Sequence, residues 1–352
     1  MANDKARDGN QEVDVQVMVA EIESLRAQIR NLEDKIRLET NPGIKIASKK
    51  LTKALIRRFY HRPIHSIKHN LRLPYRKAKI KYLGDPIVLY VFMFDDKSMN
   101  FGEELTQDII ERIFHRSVEV HRFIDTKVDM LGVGSVIHLF NEGIDYKTYV
   151  WGSGIIDDQI GAVSDNFIFT ACRGKLTRNQ LAKKYHDIPM GDLGLLSNLM
   201  YTNKIQKTDK IGVIAHFRDE QSYFLNDIIK KHPDIFKIIS VSQPPEQVAD
   251  QIKGCKLILS SSLHGLIVSD SFGVPNIHLV LSDNLPGPKC LRGGKYKFKD
   301  YYSGIDRKYK NFDPREKDLL KLSEYDKIIK QYKPIDNLDK IQENLIRVFP
   351  YR

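Results

Sequence analysis

The sequence predicts an α/β protein in which two Rossmann-like domains face a cleft, preceded by a coiled coil and a basic helical arm. Strand-length apolar runs alternate with helical patterns from residue 86 onward, and the alternation restarts at Lys210. An uneven distribution of charge separates the arm from the domains. We therefore predict a coiled coil over residues 1–40, a basic amphipathic arm over 41–84, a first domain over 85–205, and a second domain with C-terminal helices over 206–352.

The first forty residues carry an apolar heptad. The spacing alternates between three and four, with Ile mostly at the first position and Leu mostly at the fourth. The heptad residues are Val15, Met18, Ile22, Leu25, Ile29, Leu32 and Ile36. This pattern is typical of parallel two-stranded coiled coils, so we expect a homo-oligomer formed through this segment. A single amphipathic helix packed on its own protein is the alternative.

The next segment, residues 41–84, carries the whole excess of positive charge. The chain has a formal net charge of +11, and this segment holds thirteen Lys or Arg with no Asp or Glu. Apolar residues from Ile46 to Phe59 can share one helical face surrounded by cations, which favours an anionic membrane surface. A solvated linker helix is the alternative. No nucleic-acid-binding motif accompanies the charge, so we expect no nucleic acid partner.

The composition also bears on location and metals. No apolar run approaches about 18 residues, and the polar first residues do not resemble a secretory signal. The three cysteines are scattered without metal-ligand spacing, and the acidic residues show none either. We expect a protein without a metal or cofactor, in the cytoplasm and peripheral at the inner face of the cytoplasmic membrane.

The first domain begins with a strand over residues 86–95. A helix over 100–115 follows, with Asn100 at its N-cap and Glu103 three residues later. Strand-like runs then cover 130–140, 148–151 and 166–171, and a helix follows Thr177.

The second domain repeats this alternation. Its predicted strands cover 211–217, 236–241, 256–259 and 276–281, and its helices cover 221–232, 245–253 and 263–272. The last helix should end at Gly273 and Pro275. Such alternation predicts parallel sheets covered on both faces, with ligands at the carboxyl ends of the strands.

Polar clusters follow several of these strands. They contain Asn100, Trp151 and Ser153, Arg173 and Arg178, His216, and Ser261, Ser262, Leu263 and His264. Guanidinium groups and a helix N-terminus meeting in one cleft would suit a small dianion or trianion. Each cluster also has a structural interpretation: helix caps, tight turns, core histidines and surface arginines. Neither a P-loop nor a GxGxxG after a strand is present.

The ordered motifs resemble the polysaccharide pyruvyl transferase family over about residues 86–302. They are Asn100-Phe-Gly102, Trp151-Gly-Ser-Gly154, Arg173-Gly-Lys-Leu-Thr-Arg178, Gly191-Asp192, Gly212-Val-Ile-Ala-His216, Ser260-Ser-Ser-Leu-His-Gly265 and Gly273-Val-Pro275. The resemblance implies the GT-B arrangement of the two domains. It also implies transfer from phosphoenolpyruvate onto two hydroxyls of a glycan sugar, which forms a cyclic pyruvate ketal and releases phosphate, in bacterial exopolysaccharide or capsule synthesis.

The resemblance also implies roles for residues. We expect His264 and then His216 as acid and base, because histidine titrates near neutrality. The donor anion would be held by Arg173, Arg178, Ser261, Ser262, Leu263, Arg292 and Lys295. The acceptor, a sugar such as one carried on undecaprenyl diphosphate, would contact Asn100, Trp151, Ser153, Tyr301 and Tyr302.

One departure from the family pattern leaves alternative functions open. The family often has Ser-Arg before Leu-His-Gly, whereas this chain has Ser261-Ser262. If that arginine holds the donor in the family, a substitute is needed here, and the candidates are Arg173, Arg178, Arg292 and Lys295. A GT-B glycosyltransferase using a nucleotide sugar is one alternative, although Asp270 is the lone carboxylate shortly after His264. A non-catalytic membrane-bound scaffold is the other, because a fold does not fix a function.

Overall fold

The computed structural model describes residues 85–92, 100–122, 127–140, 144–158, 163–220, 222, 224–281, 294–314 and 320–351. The chain divides into two compact units, Met1–Ala78 and Lys79–Arg352, and all described residues belong to the second. The predicted coiled coil, the predicted arm and Arg292 lie outside the described residues. Within the described ranges, no helix is both long and apolar enough to cross a membrane.

The first sheet contains five parallel strands. They are β1 (Ile87–Tyr90), β2 (Val118–His121), β3 (Met130–Leu131), β4 (Thr148–Trp151) and β5 (Phe167–Ala171), in the spatial order β2-β1-β3-β4-β5. Short runs rich in Val, Ile and Phe suit strands that are covered on both faces.

The second sheet has the same construction. It contains β6 (Ile211–Ile214), β7 (Phe236–Ile238), β8 (Leu257–Ser260), β9 (Asn276–Leu279) and β10 (Asn311–Phe312), in the order β10-β9-β8-β6-β7. Read in the opposite direction, β7-β6-β8-β9-β10, this order matches that of the first sheet strand for strand. Each sheet therefore has one point where the strand order reverses, between β1 and β3 and between β6 and β8, and such points bind ligands in α/β proteins.

Helices cover both sheets. They are α1 (Phe101–Ile113), α2 (Lys175–Arg178), α3 (Ser197–Met200), α4 (Pro245–Lys253), α5 (Leu263–Ser271), α6 (Tyr296–Gly304), α7 (Leu322–Gln331) and α8 (Leu338–Arg347). Short 3₁₀ segments lie at Ile137–Phe140, Lys183–Tyr185, Leu193–Leu196, Phe217–Asp219 and Ile229–Lys231, and a π-helical turn at Phe224–Ile228.

The two sheets share a hydrophobic core. Phe101 and Leu105 of α1 belong to the same buried cluster as Leu266 and Ile267 of α5. The backbone also joins the halves, because Phe101 N donates to the carbonyl of Val241 at 2.9 Å. Two parallel sheets in one α/β body confirm the predicted class, and the halves are bound by a continuous interior.

The C-terminal segment packs on the first half. The indole N–H of Trp151 donates to the carbonyl of Leu345 at 2.9 Å, and Phe349 stacks on Phe114 with ring centroids 3.8 Å apart. The predicted second domain over 206–352 therefore includes a terminal segment that lies against the first sheet.

Several predicted elements are shorter or different. The strand predicted over 130–140 stops at Leu131, because Gly132 follows and Gly134 adopts φ +113°, a left-handed conformation that glycine permits. The helix predicted over 221–232 is a π turn followed by a 3₁₀ turn. The predictions did not include β2, β10 or α6, whereas the helix over 245–253 is confirmed.

Candidate active site

A cavity of about 290 Å³ lies at the carboxyl ends of strands from both sheets. Five strands lead into its wall: β1 into Asn100 and Glu103, β3 into Gly134 to Val136, β5 into Arg173, β6 into His216 to Arg218, and β8 into Ser262 to His264. The strands on either side of each reversal point, β1 and β3 in the first sheet and β6 and β8 in the second, thus all supply residues to the cavity. This is the expected place for a ligand site in this fold.

The N-terminal end of α5 forms one part of the wall. Ser262, Leu263 and His264 line the cavity, and the Ser262 side chain makes no capping hydrogen bond to this described helix. The first N–H groups of a helix lack intrahelical partners and carry partial positive charge. An anion is therefore favoured at this point of the cavity.

His264 is buried against Gly102. A Cβ atom at position 102 would lie 1.8 Å from His264 Nδ1, so the imidazole occupies the space that glycine leaves. His264 Nε2 has no hydrogen-bond partner among the described residues. Burial, reinforced by the charges of Lys297 and Arg173, lowers the pKa of His264 to about 3. The expected near-neutral pKa is therefore wrong, and the imidazole is neutral at pH 7 without a bound anion.

His216 is also neutral. Its Nδ1 accepts a hydrogen bond from the backbone N–H of Arg218 at 3.3 Å, which caps the short helix after β6. Burial, with the charges of Lys297 and Arg218 and the nearby His264, lowers its pKa to about 2. Both predicted acid–base residues line the cavity, but neither carries a proton to donate as an imidazolium at pH 7.

Arg173 is held rigidly in the cavity wall. Its fully buried guanidinium donates from Nε to Asp300 Oδ2 at 2.9 Å, from Nη1 to Ser135 Oγ at 2.7 Å, and from Nη2 to the carbonyl of Ile155 at 2.7 Å. A Cβ atom at Gly154 would lie 2.2 Å from its Cζ. The second glycine of the Trp-Gly-Ser-Gly motif is therefore explained by the close approach of Arg173.

Glu103 and Lys297 line the cavity and were not predicted as site residues. Burial raises the pKa of Glu103 to about 8, an effect that Lys297 opposes and that Asp192 and Glu104 reinforce. Glu103 was recognised from the sequence only as a capping-box residue. Lys297 falls in the basic and aromatic run that becomes α6, where no periodicity distinguishes it from Lys295 or Lys299.

Other predicted donor residues lie elsewhere. Arg178 and Lys295 are half-buried and outside the cavity lining. Ser261 is buried: its hydroxyl donates to Asp219 Oδ2 at 2.6 Å and accepts from the backbone N–H of His216 at 2.9 Å. Its role is therefore to hold the turn after β6, and the donor contact predicted for it is wrong.

The predicted acceptor contacts are mostly wrong, because the side chains are covered. Trp151 and Tyr301 are fully buried, and Tyr302 is 3% exposed. Tyr301 donates to Asp270 Oδ2 at 2.6 Å, so neither face nor edge is available to a sugar. Ser153 is also buried and donates to the carbonyl of Gly134 at 3.0 Å. Asn100 lines the cavity, where its Oδ1 accepts from Gly102 N at 3.2 Å.

Comparison with known proteins identifies the family. Residues 47–284 match the family model described as polysaccharide pyruvyl transferase, which is more than half of the chain. The chain belongs to this family. It is therefore a transferase enzyme, and pyruvyl transfer to a sugar or polysaccharide acceptor is the activity that the family implies.

Two individual proteins are similar to this chain. It is 27% identical over 254 residues to an uncharacterized protein of Acanthamoeba polyphaga mimivirus, covering 67% of this chain and 82% of the relative. A crystal structure of an uncharacterized protein from Klebsiella pneumoniae aligns with 69% of this chain and 99% of its own, at 15% identity and a TM-score of 0.36.

The cations of this pyruvyl transferase come from elements other than the Ser-Leu-His turn. Ser262 lines the cavity at the position where the family often has arginine. Arg173 from the end of β5, Arg218 from the segment after β6 and Lys297 from α6 supply positive charge there instead. Of the predicted substitutes for the arginine, Arg173 is therefore brought to the cavity.

Proposed function

We propose that this pyruvyl transferase uses phosphoenolpyruvate as its donor and forms a cyclic pyruvate ketal across two hydroxyls of a glycan sugar. The observation that carries the proposal is the cationic wall of the cavity. Arg173, Arg218 and Lys297 line the same cavity as the N-terminal end of α5, and His264 Nε2 has no hydrogen-bond partner among the described residues. A small molecule with a carboxylate and a phosphate matches this arrangement.

The chemistry requires more than charge. Protonation of the donor methylene carbon, C3, makes C2 electrophilic, and a sugar hydroxyl then attacks C2. Phosphate leaves C2, and the neighbouring hydroxyl closes the ketal. Neutral His264 suits the base that receives a hydroxyl proton, and the negative charge of a bound donor would raise its pKa and strengthen it in that role.

We place the acceptor sugar on the apolar side of the cavity. Phe92, Leu139 and Ile156 are apolar residues of the cavity lining, and apolar surfaces pack against the carbon faces of sugars. We also propose that the acceptor is carried on undecaprenyl diphosphate, as an intermediate of a bacterial surface polysaccharide. A membrane-bound acceptor would explain the basic segment over 41–84. Positive charge in that segment would hold the enzyme at the inner, anionic face of the membrane.

The position of Asp270 argues against a nucleotide-sugar donor. Its carboxylate is 1% exposed and accepts hydrogen bonds from Tyr301, Arg307 and Asn276. It does not line the cavity. The one carboxylate that the sequence offered for binding a donor ribose is thus occupied by the protein itself.

Donor binding is the first test. Millimolar phosphoenolpyruvate should raise the melting temperature of the full chain, because a ligand that binds the folded state stabilises it. Lys297→Met should reduce this shift, whereas Lys299→Met, an exposed position on the same helix, should retain it. A shift produced by nucleotide sugars alone would contradict the proposal.

The membrane role has a separate test. The full chain should sediment with vesicles that contain anionic lipid, and added salt should release it, because the attraction is electrostatic and screened. Equal binding to neutral vesicles would contradict this part of the proposal without affecting the donor.

A further inference from the structure

The proposed transfer needs a proton donor for C3 of phosphoenolpyruvate, and the structure limits which residues can be that donor. Neither His264 nor His216 is protonated at neutral pH, as described above. Among the described residues that line the cavity, Glu103 is the one with a carboxyl group. A protonated carboxyl in a cavity is a suitable general acid.

Glu103 is placed by the start of α1. Its backbone N–H donates to the carbonyl of Asn100 at 3.0 Å, so the first helical turn fixes its position. The preceding residue, Gly102, is the one that His264 packs against. The first turn of α1 therefore carries the Glu103 carboxyl group into the same cavity as the imidazole that packs on Gly102.

The carboxyl group also lies beside the loop that holds Arg173. A Cβ atom at Gly134 would lie 3.0 Å from Glu103 Oε2, and the next residue, Ser135, accepts a hydrogen bond from the Arg173 guanidinium. A donor anion bound in the cavity beside the charge of Arg173 would thus have Glu103 at the edge of the same loop.

The charges around Glu103 come from four elements. Lys297 of α6 favours the carboxylate, while Asp192 before the 3₁₀ segment Leu193–Leu196 and Glu104 on the same helix disfavour it. Tyr90 of β1 is also close enough to interact with Glu103. Burial, together with the charge of Glu103, raises the pKa of Tyr90 to about 12. The helix N-terminus itself favours the carboxylate. Burial is the largest effect, so the protonated form persists at pH 7.

We propose that Glu103 is the catalytic acid that delivers the proton to C3 of phosphoenolpyruvate, an inference that rests on the proposed function. The O–H bond of Glu103 breaks, and the π electron pair of C2=C3 forms the new C3–H bond. The first sugar hydroxyl bonds to C2 and gives its proton to His264. The C2–O bond to phosphate breaks with its electron pair on phosphate, which takes the proton from His264. The second hydroxyl bonds to C2, and its proton returns to the Glu103 carboxylate.

The test compares two carboxyl positions on α1. Glu103→Gln removes the acid and keeps the shape, whereas Glu111→Gln changes a residue outside the cavity lining that accepts a hydrogen bond from Gln107. Removing a general acid lowers kcat by about 100-fold or more, so we expect that loss of phosphate release in Glu103→Gln and less than about a twofold change in Glu111→Gln. Glu103→Asp should recover part of the loss.

Two further readouts separate the acid role from a structural one. The kcat of the wild type should fall above about pH 8, where Glu103 loses its proton, and Glu103→Gln should lack this alkaline decline. The melting shift produced by phosphoenolpyruvate should persist in Glu103→Gln.

The possible failures are distinguishable. If Glu103→Gln binds phosphoenolpyruvate, keeps more than about a third of the wild-type kcat and keeps the alkaline decline, the acid role is overturned and the proposed function stands. If phosphoenolpyruvate fails to stabilise the wild type, the proposed function and the acid role are overturned together.

Discussion

Two glycines determine which side chains reach the cavity. Gly102 leaves the space that the His264 imidazole fills, and Gly154 leaves the space that the Arg173 guanidinium fills. Neither needs a left-handed backbone, so each is required for its missing side chain. The glycines in the Asn-Phe-Gly and Trp-Gly-Ser-Gly motifs therefore act through the two cavity side chains, His264 and Arg173, that pack on them.

Gly102→Ala should displace His264. The added methyl group would lie 1.8 Å from Nδ1, so the ring must move or the first turn of α1 must shift. We expect a loss of about 1–3 kcal/mol in stability, typical of overpacking, with kcat reduced at least about tenfold. Gly254→Ala is the control, because the nearest atom to its Cβ would lie 3.4 Å away. Wild-type kcat in Gly102→Ala would show that the His264 ring is not used.

His264 should make the protein sensitive to mild acid. Its pKa is about 3 in the folded chain and about 6.5 when unfolded, so below pH 6.5 the unfolded state binds the proton and stability falls. At pH 5 this loss is about 2 kcal/mol for one histidine. Urea unfolding at pH 7 and pH 5 should show a smaller loss in His264→Asn than in the wild type. An equal loss in both would mean that the imidazole is hydrated in the folded state.

At the scale of elements, α6 fixes both the position and the charge of the site. Asp300 on this helix accepts hydrogen bonds from Arg173 Nε and from the backbone N–H and hydroxyl of Thr177, and Lys297 lies one turn earlier. Arg173 follows β5 and Thr177 belongs to α2, so α6 joins the second half of the chain to the end of the first sheet. A shift of α6 would move two cations of the cavity together.

Breaking the Arg173–Asp300 pair should be far costlier than breaking a surface pair. Both side chains are fully buried, and Asp300→Asn leaves the guanidinium without its counter-charge, a loss of about 3–5 kcal/mol. Asp306→Asn removes the partner of Lys175 at an exposed site and should cost under about 1 kcal/mol. The two variants are compared by urea unfolding. Similar losses would mean that water reaches Arg173.

Local sequence patterns predicted the helices and strands better than they predicted which residues line the cavity. The helix over 245–253 and strand β4 agree with their predictions because apolar spacing and flanking residues specify them. The burial of Trp151 could not be predicted in this way, because Leu345, which accepts its hydrogen bond, is 194 residues away. Likewise, the cavity is lined by segments that are far apart in the sequence. Local patterns could therefore not predict that Glu103 and Lys297 line the same cavity.

At the scale of the whole molecule, the shared core should make the halves unfold together. Trp151 and Cys172 report on the first half, and Cys255 reports on the second. Both thiols are buried, and burial raises the pKa of Cys172 to about 12 and that of Cys255 to about 11. Neither thiol should react while the protein is folded.

We therefore expect one transition in urea. The fluorescence of the single tryptophan and the labelling of Cys172 and Cys255, followed by mass spectrometry, should share one midpoint. All three probes lie in the second compact unit, so the measurement reports on that unit. Labelling of Cys255 at a lower urea concentration than Cys172 would show that the halves are separate folding units.

The packing of the C-terminal segment on Trp151 and Phe114 has a consequence for synthesis. The first sheet leaves the ribosome long before residues 338–351, so the aromatic surface that they cover faces solvent until those residues have been translated. A nascent chain in that state offers an apolar surface to chaperones. A stop codon introduced at the start of α8 would release a chain whose aromatic surface is never covered, and such a chain should be a substrate for proteolysis.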